Sequence, residues 1–398
     1  MTHEHHGRVW NLSETSLTVG DALSRVEIQC AANLLADVLV GDLVRVQVSL
    51  RKERLVAHEI TRVFRPTRSA GARGTETARL TLHRRAEHLV ARAQVLSRVR
   101  QWFARQRFTE VETPTIAVCP GLDLHLTAYE AIDTSSAKSL GYMITSPEYH
   151  MKRLVVGGLS QCFQFARCFR SGDLGSRHEP EFTMLEWYRA WGTLDALVED
   201  TMGVLLAACD RTTLRARDGH TLALSEGHER LTVREAFARF ASEITDPIGL
   251  AERDEHEYFR ILGEKIEPQL GRTRPTFLTH FAARHASLSQ LDPEDRSVCL
   301  RAELYVDGQE LSNGFVELTD PVEQRARLVR DQQDRAQRGL PEYPIDEDFL
   351  RALEEGMPPS VGNAMGLDRL VALALELRDL REVLAFSQRD HESVSLDR

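Results

Sequence analysis

Three separated segments hold the residue types best suited to chemistry. The first, FQFARCFRSGDLGSRHEPEFTMLEWYRA from Phe163 to Ala190, is two apolar-alternating stretches around a polar loop. Arg170 stands where the first stretch ends, and an arginine so placed can clamp a phosphate through two parallel N–H donors. By itself the segment reads equally as a hairpin with a surface arginine. The second, GQELSNGFVELTDPVEQ from Gly308 to Gln324, sets Glu310 and Glu317 among apolar residues of a β-prone stretch. Carboxylates at such positions hold Mg2+ against nucleotide phosphates or pair with a substrate ammonium. Its Asn313-Gly314 pair, read alone, is a hairpin turn. The third, GNAMGLDRLVALALEL from Gly362 to Leu377, is a glycine-bearing turn entering an amphipathic helix, where free amides and Arg369 favour an anion.

These segments need a large scaffold, and the chain has 398 residues, 42% hydrophobic and 28% charged, enough for one large core and a small companion domain. Between Gly7 and Phe64 short β-prone stretches alternate with turn signals, which predicts a small β-barrel. Residues 65–79, RPTRSAGARGTETAR, have no apolar period and read as an exposed linker. From Arg85 onward Leu89, Ala93, Leu96, Val99 and Phe103 form one apolar stripe of a helix, and Pro114 forces the following FTEVETPTI to be extended. Helices are also expected at 194–209, 231–241 and 253–267, and Asp320-Pro321 with Glu323 opens another that Gly339 and Pro341 close. The domain reading is a small β domain at 1–66, a linker at 67–83 and a large α+β domain at 84–390.

Composition narrows the function. The net charge is -10, yet residues 1–110 carry 18 basic against 11 acidic side chains. Residues 1–66 balance at 8 of each, so the basic excess lies between Arg68 and Arg107, on what reads as a solvated helix face. The β domain has only Trp10 and Phe64 as aromatics, a poor endowment for phosphate contact and base stacking. Six cysteines lack any CxxC spacing and read as reduced, mostly buried thiols. His3, His5 and His6 read as a solvated, disordered terminus. No run approaches eighteen apolar residues, and MTHEHHGRVW lacks a secretory h-region, so a cytoplasmic protein with no membrane attachment is expected.

In order and spacing, FR…HEPEFTMLEWY, ELSNGFVEL and GNAMGLDRL resemble the motifs of class II aminoacyl-tRNA synthetases of the lysyl branch, and FTEVETPTI resembles that family's first motif. The likeness spans about Arg84 to Phe386 and implies an antiparallel synthetase sheet flanked by helices. YMITSPEYHMKRL, RPTFLTHFAARHASLSQL and RAQRGLPEYPID look most like the branch that ligates lysine, preferably (R)-β-lysine, to a lysine of elongation factor P. Ala364, where lysyl-tRNA synthetases carry glycine, is similar to that branch too.

The resemblance implies that Ser146, Pro147, Glu148, Tyr188, Asn313, Glu317 and Ala364 surround the lysine substrate. It places ATP against Arg170, Asp173, His178, Phe182, Glu310, Leu311, Gly366 and Arg369, and Mg2+ at Glu310 and Glu317. Arg170, Arg369 and Glu310 would then carry catalysis by positioning and charge neutralisation. The lysine carboxylate attacks the α-phosphate, pyrophosphate leaves, and an amine or hydroxyl intercepts the aminoacyl-adenylate. Two departures stand out: Arg170-Ser171-Gly172-Asp173 stands where the family continues Arg-Asn-Glu, and His178-Glu179-Pro180 replaces His-Asn-Pro. LVGDLVRVQVSLRKERLVAHEITRVF resembles the last strands of an OB-fold used for anticodon binding. A compact lysyl-tRNA synthetase is therefore the alternative, although the neutral, shortened barrel suits folding, dimerisation or protein docking better. A homodimer is also implied.

Overall fold

A computed structural model of the chain describes residues 2–390 apart from 70, 73, 82, 83 and 173. Two compact units emerge, one from the described parts of 1–92 and 381–398, the other from 93–380.

The first unit holds β1 (Thr2–Leu12), β2 (Ser16–Gly20), β3 (Arg25–Gln29), a single helical turn α1 (Ala32–Leu35), β4 (Leu43–Arg51) and β5 (Arg54–Phe64). They close a barrel in the order β1-β2-β3-β5-β4, the arrangement of an OB-type barrel. Alternation sets the interior: Val44, Val46 and Val48 of β4 are fully buried while Arg45 points outward. The histidine-rich start is not the disordered terminus expected from its polarity. His3 pairs with Val48 and His5 with Val46, because closing a barrel requires β1 to cover the edge of β4. The segment read as a bare linker likewise contains a short helix, α2 (Glu76–Thr81), with Ala78 buried.

Helix α3 (Arg85–Arg105) begins where the period predicts, but Ala93 is exposed and Val95 takes the core position beside Val99 and Phe103. After it come β6 (Thr109–Glu110), β7 (Ile116–Ala117), β8 (Glu130–Asp133), β9 (Lys138–Met143), α4 (Glu148–Val156), β10 (Gln161–Phe169) and β11 (Glu181–Ala190). Then follow α5 (Leu194–Cys209), the hairpin β12 (Thr213–Arg215) and β13 (Thr221–Ala223), β14 (Glu229–Thr232), α6 (Val233–Phe240), α7 (Pro247–Arg253) and α8 (Glu255–Ile261). The chain finishes with β15 (Thr276–Ala282), β16 (Val298–Val306), β17 (Gln309–Val316), α9 (Pro321–Gln337), α10 (Glu347–Gly356), β18 (Ser360–Gly366) and α11 (Leu367–Ala374).

An eight-stranded sheet in the order β14-β15-β16-β17-β18-β11-β10-β6 is the frame of the second unit. It is antiparallel except at its two ends, where β14–β15 and β10–β6 run parallel. Helices cover both faces, so this is an α+β fold built on a large antiparallel sheet. On one side Phe103 of α3 stacks on Phe163 of β10 at 4.2 Å and meets Trp187 of β11 edge-on at 5.7 Å. On the other side α4 packs against α10, with Tyr149 and Phe349 stacked at 4.7 Å. Helix α9 starts as its sequence predicts: the Asp320 carboxylate accepts from the amides of Val322 and Glu323 at 2.8 and 3.1 Å. Asn313-Gly314 is not a turn but the middle of β17, because flanking strands on both sides satisfy its backbone. All six cysteines are free and buried, and among the described residues no helix is long and apolar enough to cross a membrane.

Candidate active site

Strand alternation decides which side chains of β11, β17 and β18 share a face. Register sets Glu186 opposite Ala364 and Tyr188 opposite Gly362, and on the next strand Asn313 opposite Ala364 and Phe315 opposite Gly362. Of these, Asn313, Phe315 and Ala364 line a cleft of about 440 Å3 within the second unit, and Glu186 is buried below them. Of the residues singled out from sequence, Ser146, Glu148, Arg170, His178, Phe182, Glu310, Leu311, Asn313, Ala364, Gly366 and Arg369 line it. Tyr188 and Glu317, both 2% exposed, lie beneath it. Pro147 caps the start of α4 without lining the cleft, and Asp173 lies outside the described residues.

One end of the cleft is acidic. The Ser146 hydroxyl donates to Glu186 Oε2 at 2.7 Å, and the Tyr188 hydroxyl donates to Glu186 Oε1 at 2.7 Å. Lys152 Nζ sits 2.7 Å from Glu148 Oε1 and 2.6 Å from Glu317 Oε2. A side chain at Gly362 would come within 2.3 Å of both Glu317 Oε1 and the Tyr188 ring, so glycine there lets the carboxylate and the phenol approach. Burial, with the neighbouring Glu148, pushes Glu186 up to about 8. Burial likewise pushes Glu317 up to about 8 against the opposing pull of Lys152.

The other end is cationic. Arg170 ends β10, its amide donating to Pro180 O at 2.9 Å, and its guanidinium lies 5.1 Å from the Phe182 ring centre. Its Nε is buried without a hydrogen-bond partner among the described residues. Arg369, in the first turn of α11, is held by donation to the carbonyl of Glu310 at 3.1 Å, that of Arg177 at 3.3 Å and His178 Nε2 at 2.5 Å. The helix is tied to the sheet by Asp368 Oδ2, which accepts from the Thr183 amide at 2.9 Å. Glu310 lies on a bulge of β17, where the register against β16 slips. Burial and the nearby Glu303 push it up to about 7. An oxygen donor held so close to a second carboxylate fits a hard divalent cation. Among the described residues no three acidic, histidine or cysteine side chains converge to hold a metal by themselves, and Glu317, paired with Lys152, lies with the acidic end instead.

Several residues of the site escaped sequence reasoning. Glu186 was legible in principle, since it stands two residues before Tyr188 on one strand face. Lys152 stands one helical turn after Glu148, a spacing that signals a surface ion pair as readily as a buried one. Arg301, from β16, donates to Asn313 Oδ1 at 3.0 Å and pairs with Glu303, and no motif announces it.

A carboxyl whose folded pKa is about 8 rather than its ordinary 4.5 binds a proton more tightly in the folded state, so its contribution to stability is lost as pH rises through that window. The Tm of the free protein is expected to fall between pH 6 and pH 8.5 through Glu186, and a diammonium ligand should restore more of it at pH 8.5 than at pH 6. Calorimetric scans at the two pH values check this. Equal ligand shifts at both would contradict it.

The large antiparallel sheet with helices on both faces is that of a class II synthetase. The sequence pattern of tRNA synthetases class II (D, K and N) matches residues 75–390, and the chain belongs to that family. Among curated proteins it is similar to "Elongation factor P--(R)-beta-lysine ligase" of Klebsiella pneumoniae subsp. pneumoniae, 39% identical over 312 residues covering 75% of this chain and 94% of the relative. The proteins of that name from Enterobacter sp. (strain 638) and Salmonella gallinarum are each 40% identical over 311 residues, with the same coverage. The barrel at 2–64 precedes the residues matched by the family.

Proposed function

We propose that this protein is a ligase that activates lysine, preferably (R)-β-lysine, with ATP and transfers the lysyl group to a lysine side chain of elongation factor P. The observation that carries the reading is the polarity of the cleft. Glu148, Glu186 and Glu317 offer carboxylates for substrate ammonium groups at one end, and Arg170 and Arg369 offer cations for phosphates at the other. The names of its relatives support elongation factor P over tRNA as acceptor.

Each side chain then has a task. Glu148, Glu186, Glu317 and Tyr188 orient the ammonium groups, so that the lysine carboxylate is delivered toward Arg170. Arg170 takes the α-phosphate, while Phe182, His178, Leu311 and Gly366 enclose the nucleotide and Arg369 faces its outer phosphates. The carboxylate oxygen bonds to the α-phosphorus as the bond to pyrophosphate breaks, and an acceptor amine later displaces AMP. Glu310, backed by Glu303, would hold Mg2+, which neutralises phosphate charge when bound. Ala364 adds one methyl to the pocket floor between Glu186 and Asn313, a change worth about 1–3 kcal/mol between isomers.

The protein is read as cytoplasmic and homodimeric. The small sheet β7-β9-β8 leaves Val118, Leu140 and Ile132 exposed by 67, 59 and 54%, an apolar surface suited to a second copy. Light scattering is expected to give twice the chain mass of 45.0 kDa, and Val118→Asp with Leu140→Lys to give the monomer. A wild-type monomer at micromolar concentration refutes the dimer.

The deciding experiment offers elongation factor P and tRNA together to the protein with ATP, Mg2+ and each lysine isomer. The factor is expected to gain the mass of one lysyl unit while tRNA stays uncharged. Charged tRNA beside unmodified factor would make the chain a compact lysyl-tRNA synthetase.

A further inference from the structure

The acidic end of the cleft contains a cation of its own. Lys152 is wholly buried on α4, and its ammonium bridges Glu148 from the same helix and Glu317 from the end of β17. Behind it lies the Phe349 ring of α10, 6.0 Å from Nζ to the ring centre. Glu186 and Tyr188 approach from β11, and Asp123, from the segment between β7 and β8, adds its field to Glu148. Helix geometry leaves the ammonium little freedom: one turn separates Lys152 from Glu148, and its stem is closed in by the α4–α10 contact.

The three carboxylates around the ammonium, leaving aside Asp123, which accepts from the Ser287 hydroxyl at 3.2 Å, carry with it a net charge of minus two when ionised. Without the ammonium, Glu148 and Glu317 lose the cation that holds them at 2.7 and 2.6 Å, and three carboxylates would face a substrate with only two ammonium groups. With it, once the entering ammonium groups ionise the carboxyls, the pocket is short of two positive charges, the number that a diamino monocarboxylic acid brings at its ammonium groups. We propose that Lys152 is a specificity-determining positioning residue: it cancels one of the three pocket carboxylates and so matches the site to substrates carrying two ammonium groups. The proposal rests on the lysine-activating function above.

The test is a double-mutant cycle read by lysine-dependent ATP–pyrophosphate exchange. Lys152→Met removes the charge with little change in volume, and Glu148→Gln removes one of its carboxylates. Lys152→Met is expected to raise KM for lysine about tenfold while kcat and KM for ATP stay within about threefold. Glu148→Gln leaves a net charge of only minus one and also raises KM for lysine. In that background removal of Lys152 restores minus two, so the double variant should bind lysine better than Glu148→Gln alone. Removing one partner of a buried ion pair destabilises a fold more than neutralising both, so if Lys152→Met alone fails to fold, the double variant still provides the comparison with Glu148→Gln. Losses that multiply, or KM values for lysine and ATP that rise together, would show a purely structural lysine and overturn the proposal. A wild-type protein without lysine-dependent exchange would refute the proposed function and this inference with it, whereas multiplicative losses in an active protein refute the inference alone.

Discussion

Replacing Arg170 with alanine is expected to lower kcat for lysine-dependent ATP–pyrophosphate exchange by about 10²–10³-fold, the usual cost of deleting a preorganised donor to developing charge. The side chain is placed by backbone bonds that do not need it: its amide closes the β10–β11 hairpin on Pro180, and its guanidinium rests against Phe182. Its buried Nε makes no hydrogen bond within the described protein, so truncation breaks no internal one there. The loss to stability should therefore stay near the about 0.5–1 kcal/mol of a cation–π contact. Lysine at 170 should recover only part of the rate, because a single ammonium cannot make two parallel bonds to a phosphate. Exchange kinetics beside thermal unfolding separate the two effects. Undiminished exchange, or a loss that tracks unfolding, would remove Arg170 from the proposed chemistry.

Glu317→Gln should act on the opposite end of the cleft and on the opposite kinetic constant. The amide keeps the shape but withdraws the charge from a carboxylate 2% exposed, beside Lys152 and close to Tyr188. A substrate ammonium would then face a neutral group in a desolvated pocket, and truncating one side of such a pair costs about 2–5 kcal/mol. KM for lysine is accordingly expected to rise by about 10²-fold, with a smaller change in kcat and none in KM for ATP. Competition by a lysine analogue without the ε-ammonium should weaken far less, since it never used that charge. The same variant addresses the assignment of Glu317 to Mg2+: an unchanged KM for lysine with an altered Mg2+ dependence would move Glu317 from the ammonium group to the metal.

Much of this was written locally. Period-two alternation around Arg170 and the Asp-Pro cap of α9 depend on neighbours a few residues away and were readable from sequence, whereas Gly362 to Gly366, read as a glycine-bearing turn, is the end of strand β18, because β11 and β17 pair with it on both sides. Charge balance over 1–66, together with short alternating stretches, was enough to anticipate a neutral barrel. Local polarity misled at His3 to His6, because the demand for β1 comes from the open edge of β4 and not from the histidines themselves. It misled again at Ala93, where the face of α3 that turns inward is chosen by Phe163 and Trp187 across the sheet.

The amino-acid sequence by itself determined which residue types were at hand: arginines after a strand and at a helix start, and carboxylates spaced along strands. Only the tertiary structure decided which of them meet. Glu148, Glu186 and Glu317 come from a helix, a central strand and a strand end, and the β11–β18–β17 register with the packing of α4 makes them one cluster. The same packing carried Lys152 into that cluster instead of leaving it on the surface. Burial then changed what the groups are, since carboxyls that would be ordinary acids in an open chain hold their protons to about pH 8 when water is removed and like charges are brought together.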